Sequence, residues 1–192
     1  LFNFVFWDVL YNARERRVGR YFFGVFYMKD HLVCIKFGLA LVLLSLLFGV
    51  GLGITFGANE AMFEQYIEQG IAAHPELHDA KSPDKIWRYA QRAHFHANGI
   101  AAFSLGLLLL VAFSTLKDKL KKVSSTLIGL GSFYPLAWFT MYLLAPSIGR
   151  DAAHEHLITK LFTFVGVFGL VAGLAILLAN LFIGFARTTD NH

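Results

Sequence analysis

The chain has 192 residues, 56% of them hydrophobic and 16% charged, against roughly a quarter charged in an average soluble domain. A mean hydropathy of +0.55, four prolines and one cysteine exclude a soluble globule, a disordered or collagen-like chain and a disulfide scaffold. The net charge of +4 would suit nucleic acid, but the positions of the charges give a different account.

Residues 1–30 open with LFNFVFWDVL, an apolar run too short to span a bilayer and followed at once by Arg14, Arg16, Arg17 and Arg20. This reads as an amphipathic segment in the cytoplasmic interface. The charges follow the apolar run, which is the wrong order for a secretory signal. Residues 31–192 then form the membrane domain. A transmembrane helix needs about 20 mostly apolar residues, and the runs 37–57, 97–115, 124–145 and 161–186 reach or approach that. The outer loops are 58–93 and 146–156.

The first outer loop carries structure of its own. After Asn59, residues 60–73 read as a short helix with Glu60, Glu64 and Glu68 along one face. Ser82 and Pro83 read as an N-cap and a first-turn proline, and nothing breaks the helix from there through His94 and His96 to Thr115. In the second outer loop, Asp151 is expected to cap a helix running through His154 and His156 to about Arg187. The fold class is an all-α integral membrane protein: a four-transmembrane-helix bundle, N-in/C-in, with an amphipathic N-terminal segment and a helical outer loop.

Orientation follows from lysine and arginine. With both termini in the cytoplasm, that side holds 11 of the 17 basic residues and five acidic ones, net +6, while the outer side holds six basic and eight acidic, net −2. The basic balance thus records orientation in a lipid bilayer and makes no case for nucleic acid. The expected location is a bacterial inner membrane with the outer face towards the periplasm.

That topology gathers His74, His78, His94, His96, His154 and His156 on the outer face. Two pairs, HFH and HEH, each open a long helix. In a helix, residues i and i+2 lie about 200° apart, so the two members of a pair face different neighbours. Solvated interfacial histidines are the plain reading. Ionisable groups at the edge of hydrocarbon are costly, however, and usually retained for function, and imidazole is the commonest neutral metal ligand. His94, His96, His154 and His156 are therefore the candidate ligands of a metal or haem iron, with His74, His78, Glu60, Glu64 and Glu155 as second-choice donors. Glu155, between two histidines, is the candidate partner that fixes an imidazole tautomer. Arg88, Arg92 and Arg150, beside the histidine pairs, are candidate partners for haem propionates, or else ordinary interfacial arginines. Gly99, Ala101, Ala102 and Gly106, like Gly166, Gly169 and Gly173, make small faces suited to close helix packing, and Asn180 suits an interhelical hydrogen bond.

The run RAHFHANGIAAFSLGLLLL resembles the helix of haem-copper oxidase catalytic subunits that carries A-H-F-H followed by small residues. In that family the two histidines bind the irons of two haems from opposite sides of one helix, near the outer membrane face. The resemblance implies the same ligation geometry at His94 and His96. His74-Pro75-Glu76 is similar to that family's H-P-E copper-ligand motif, but lies in a polar loop. Four spans are too few for a complete oxidase, so oxygen reduction is not implied.

Two haem arrangements follow. Each histidine of HFH could face one of HEH around haem b. Alternatively, one haem is bound and the remaining histidines and carboxylates hold copper, non-haem iron or zinc. The expected function is a membrane redox protein that transfers electrons, to or from quinol or another redox protein, or binds a small gas. The alternatives are a non-haem membrane enzyme or metal-handling protein, and an accessory subunit of a larger respiratory complex. Homo-oligomer and larger assembly both stay open, as does whether the protein is an enzyme. No Walker-type motif, dinucleotide glycine loop, G-x-S-x-G or H-E-x-x-H is present.

Overall fold

The computed structural model describes residues 2–188, with side chains from Leu32 to Thr188. Its helices are α1 (Phe2–Ala73), α2 (Ser82–Phe113), α3 (Asp118–Leu130), α4 (Tyr134–Ile148), α5 (Arg150–Glu155) and α6 (Leu157–Ile183). Among the described residues there is no strand, only an isolated bridge between Leu116 and Arg187. Four helical stretches are long and apolar enough to cross a membrane: Leu32–Ala73, Ser82–Phe113, Asp118–Ile148 and Leu157–Ile183. The interfacial reading of residues 1–30 concerns side chains outside the described residues.

The first two stretches are longer than a bilayer needs. The 42 residues of the first extend roughly 60 Å at 1.5 Å per residue, about twice a ~30 Å hydrocarbon core. The surplus forms the helical segment at the histidine end of the bundle. Asn59 leaves helical geometry there (φ −157°, ψ 68°), and its Oδ1 accepts from the Met62 amide at 3.3 Å, capping the turn that carries the helix on to Ala73. Glu60, Glu64 and Glu68 are all exposed, a solvated face. The start of α2 differs from the expectation. Lys81 occupies the cap position, while the Ser82 hydroxyl turns back to accept from the Asp79 amide and donate to its carboxylate.

Two prolines shape the third span. Pro135 has no N–H to offer the Gly131 carbonyl, which instead accepts from Tyr134 in a 3-10 turn, Gly131–Phe133. The run 124–145 therefore lies within one span, Asp118–Ile148, built of two helices, α3 and α4. Pro146 lies near the end of α4, which stops at Gly149, whose φ of +81° favours glycine. A second correction concerns the fourth span. The helix expected from Asp151 to about Arg187 breaks at His156 (ψ 139°), and α6 ends at Ile183 with Gly184 in the left-handed region. Across the break, the buried Thr159 hydroxyl donates to the Ala153 carbonyl at 2.8 Å, and the N-cap of the short α5 is Gly149, not Asp151.

Close backbone approach at glycine holds the bundle together. α1 packs on α2 and α3, α3 on α6, and α4 on α2 and α6. A Cβ on Gly38 would lie 2.0 Å from the Ser125 carbonyl oxygen, and one on Gly129 2.8 Å from Gly38. Gly166, Gly169 and Gly173 of α6 meet Tyr134, Leu130 and Ile128 in the same way, the small-residue packing that membrane helices use in place of a hydrophobic drive. Gly99 and Gly106, by contrast, face open space.

One core cluster, around Val42, Leu108, Ile128 and Leu177, fills the half nearer Lys117–Lys122. A second, around Phe63, Ile86, Tyr142 and Ala153, fills the histidine half. Large apolar side chains such as Leu44, Phe164, Phe168 and Phe182 point outward, an exposed girdle that a bilayer covers. At the basic end, Asn180 donates to the Phe185 carbonyl and accepts from Thr115. Lys121 is buried there with its Nζ 2.9 Å from the Ala112 carbonyl, satisfying an orphan acceptor at the C-terminus of α2.

Candidate functional site

The two histidines of HFH point to different neighbours, as their spacing requires. His94 faces α1, with Nδ1 2.7 Å from the Gly49 carbonyl oxygen. A carbonyl only accepts, so Nδ1 carries a proton, and in the neutral imidazole Nε2 keeps the lone pair. Glycine spacing on α1 makes the contact possible. A Cβ on Gly53 would lie 2.6 Å from His94 Cε1 and 3.5 Å from Nε2, and one on Gly49 would lie 2.7 Å from Asn98 Oδ1. Asn98 in turn donates to the His94 carbonyl at 3.1 Å. Phe56 packs against the imidazole with ring centroids 5.8 Å apart. The edge of His94 that holds Nε2 thus lies against α1.

His96 faces the other way. Its Nδ1 is 2.8 Å from the Arg92 carbonyl one turn earlier, so in the neutral imidazole Nε2 holds the lone pair. The ring lies 5.2 Å from Tyr134 and stacks on Trp138 at 5.8 Å and 29°, while the Arg92 guanidinium sits 4.7 Å from the Trp138 ring centroid. Arg92, His96, Gly99 and Phe103 follow at i, i+4, i+7 and i+11, so they share one face of α2. That face is open: Arg92, Gly99 and Phe103 are exposed, His96 is half-buried, and a side chain at Gly99 would meet nothing within 4 Å.

The remaining histidines hold other positions. His154 is 70% exposed and contacts Glu155 at 3.4 Å. Glu155 also pairs with Lys160, and these two contacts, Lys160 first, hold its carboxyl below the usual carboxylate range. His156 caps α6 by accepting the Ile158 amide on Nδ1 at 3.3 Å, so its proton is on Nε2, the opposite tautomer to His94 and His96. His78 likewise uses Nε2, 3.0 Å from the Pro146 carbonyl, and its Nδ1 is buried without a partner. His74 lies in the exposed turn 3.9 Å from Glu76.

The contacts of HFH and HEH do not join them: His94 and His96 meet α1, Tyr134 and Trp138, whereas His154 and His156 meet Glu155 and Ile158. Among the described residues no three or more His, Cys, Asp or Glu side chains converge as a metal site. Arg150 bonds Asp79 at 3.3 Å, and Arg88 is exposed on α2. Of the three arginines, Arg88 and Arg92 lie on the helix face that carries His96 and Gly99. Compared with protein-family models, curated proteins and solved structures, the chain matches none.

The spacing of Gly49 and Gly53 was a legible signal for the His94 seat that the reading of the sequence passed over. So was Asp79, which organises the outer turn. Its carboxylate accepts from Ser82 and the Lys81 amide, with Lys85 and Arg150 beside it, and these contacts, Ser82 foremost, lower its pKa. A carboxyl that titrates lower in the folded state than in the unfolded one stabilises fully above its unfolded pKa, about 4 for aspartate. That stabilisation is lost as pH falls through the depressed value. Hydrogen exchange at the Lys81 and Ser82 amides, corrected for intrinsic rates, is expected to lose protection on acidification. Asp79→Asn should be less protected at neutral pH and insensitive to the same acid step; a variant with wild-type pH dependence would contradict this role.

Proposed function

We propose that the protein is an inner-membrane redox protein that binds haem b on the open face of α2, with His96 as an iron ligand and Arg92 as a propionate partner. The observation that carries this reading is the state of the His96 imidazole. Its Nδ1 proton is committed to the Arg92 carbonyl, which orients the ring and raises the basicity of the free Nε2, the arrangement that metal-bound histidines use. The residues fit the group: a ligand nitrogen, a glycine without a side chain over which a flat ring can lie, a phenylalanine edge and an arginine one turn outward. Bound there, haem b supplies a one-electron couple whose partner is quinol or another redox protein. His94 has the same tautomer but is closed in by Gly53 and Phe56, so we assign it to locking α2 on α1.

A non-haem copper, iron or zinc site has less support, because such sites take three or more protein ligands and none converge among the described residues. Metal analysis of protein purified with its cofactors retained tests the choice. The haem reading requires iron in step with acid-extractable porphyrin; copper or zinc without porphyrin would overturn it.

The same reading places the N-terminus, the Lys117–Lys122 turn and the C-terminus in the cytoplasm, and the histidine end in the periplasm, by the distribution of lysine and arginine. In a Cys34→Ser background, an impermeant thiol reagent added to intact cells should label Glu76→Cys and spare Lys119→Cys. The reverse pattern would invert the topology.

A further inference from the structure

Between α1 and the 3-10 turn that precedes α4 lies a half-open cavity of about 220 Å³. Leu44, Phe48, Phe133 and Leu136 line it, and Ser45 and Ser132 are its polar side chains. The Ser45 hydroxyl is engaged with the Ala97 carbonyl at 3.5 Å. Ser132 Oγ is shut off from solvent and has no hydrogen-bond partner. A serine in a membrane helix commonly returns its proton to the carbonyl one turn back; Ser132, in the 3-10 turn, does not. An unsatisfied hydroxyl at hydrocarbon depth is costly, and a step between staggered χ1 wells is the movement by which it would meet an acceptor in the cavity.

Depth identifies that acceptor. The charged residues nearest Ser45 along α1 are Lys36 and Glu60, and those nearest Ser132 along the third span are Lys122 and Arg150. At 1.5 Å per residue each hydroxyl is roughly 13 Å or more from these charges, close to half of a ~30 Å hydrocarbon core. The ester carbonyls of bilayer lipids occupy the boundary and do not reach this depth, and acyl chains carry no acceptor. A molecule that dissolves in hydrocarbon and bears its own carbonyl supplies one at this depth. An apolar cavity of roughly 150 Å³ holds benzene, so this one accommodates a substituted six-membered ring, with Phe48 and Phe133 as aromatic walls.

We infer that the cavity binds the head ring of a lipid-soluble quinone, with a ring carbonyl accepting the Ser132 proton and the tail leaving through the open side. Binding is the whole of the inference; a part for the quinone in electron transfer rests on the redox reading above. Calorimetric titration of the full chain in detergent with a decyl-substituted benzoquinone tests it, alongside decylbenzene, which has the same tail and no carbonyl. Wild type should bind the quinone saturably, and Ser132→Ala should weaken it about five- to tenfold. Leu136→Trp, which fills the cavity, should abolish binding, and decylbenzene should bind weakly and be indifferent to Ser132→Ala. Ser132→Ala removes an unsatisfied group and is expected to fold, as its thermal melt will show. The inference is overturned if folded wild type gives no saturable binding, if Ser132→Ala binds as wild type does, or if decylbenzene matches the quinone. Titrations scored whatever the iron content separate the two ideas: quinone binding without haem leaves this inference standing and removes the redox reading, and haem without quinone binding does the opposite.

Discussion

Gly38→Val is expected to destabilise the membrane bundle by about 3 kcal/mol, or to prevent its assembly. A Cβ at this position would sit 2.0 Å from the Ser125 carbonyl oxygen and press on the backbone of α3, with Gly129 facing it across the same crossing. Backbone cannot rotate away as a side-chain end can, so α1 and α3 must separate. The buried contacts of Ile35, Val42 and Ile128 would loosen with them. Ala40, two residues on and exposed, supplies the control: Ala40→Val should change stability by no more than about 0.5 kcal/mol. Unfolding midpoints in a denaturing-detergent titration measure both, and equal midpoints would show that the crossing does not depend on glycine.

His96→Ala is expected to abolish iron and porphyrin retention while leaving the fold intact, because the half-buried ring bonds only within its own helix among backbone acceptors and packs on Tyr134 and Trp138 at the bundle edge. His94→Ala should do the reverse. It removes a second hydrogen bond from the Gly49 carbonyl, which lies within α1, at a net cost of about 0.5–1.5 kcal/mol, yet it should keep the iron. Iron per chain and the unfolding midpoint, measured on both variants, separate a ligand from a packing residue. If His94→Ala loses iron and His96→Ala retains it, the assignment of the two histidines is inverted.

Much of this architecture could be read directly from the chain. Long uncharged runs located the four spans, because a bilayer admits little else. Asn59 and the run after it announced the outer helix, and the i, i+2 spacing of HFH announced that its rings diverge. What could not be read was tertiary. Spacing gives an azimuth on one helix and says nothing of which helix stands opposite, so the packing of His94 on α1 and of His96 on Tyr134 and Trp138 was invisible. The Nδ1 acceptor of His94 comes from Gly49, 45 residues away, and Arg150 finds Asp79 71 residues away. The 3-10 turn at Gly131–Phe133 had a local cause in Pro135 that was open to a closer reading. The break at His156 had no comparable signal, since its stabilising contacts, Thr159 to Ala153 and His156 to Ile158, form only once the two helices have already diverged.

The role proposed for the open face of α2 is to carry a redox-active haem on His96. The reduced-minus-oxidised visible spectrum of protein purified with its cofactors retained tests it most directly. A haem held by His96 gives a Soret difference with sharp reduced α and β bands, present in His94→Ala and lost in His96→Ala. A featureless difference spectrum from the folded wild-type protein would contradict it.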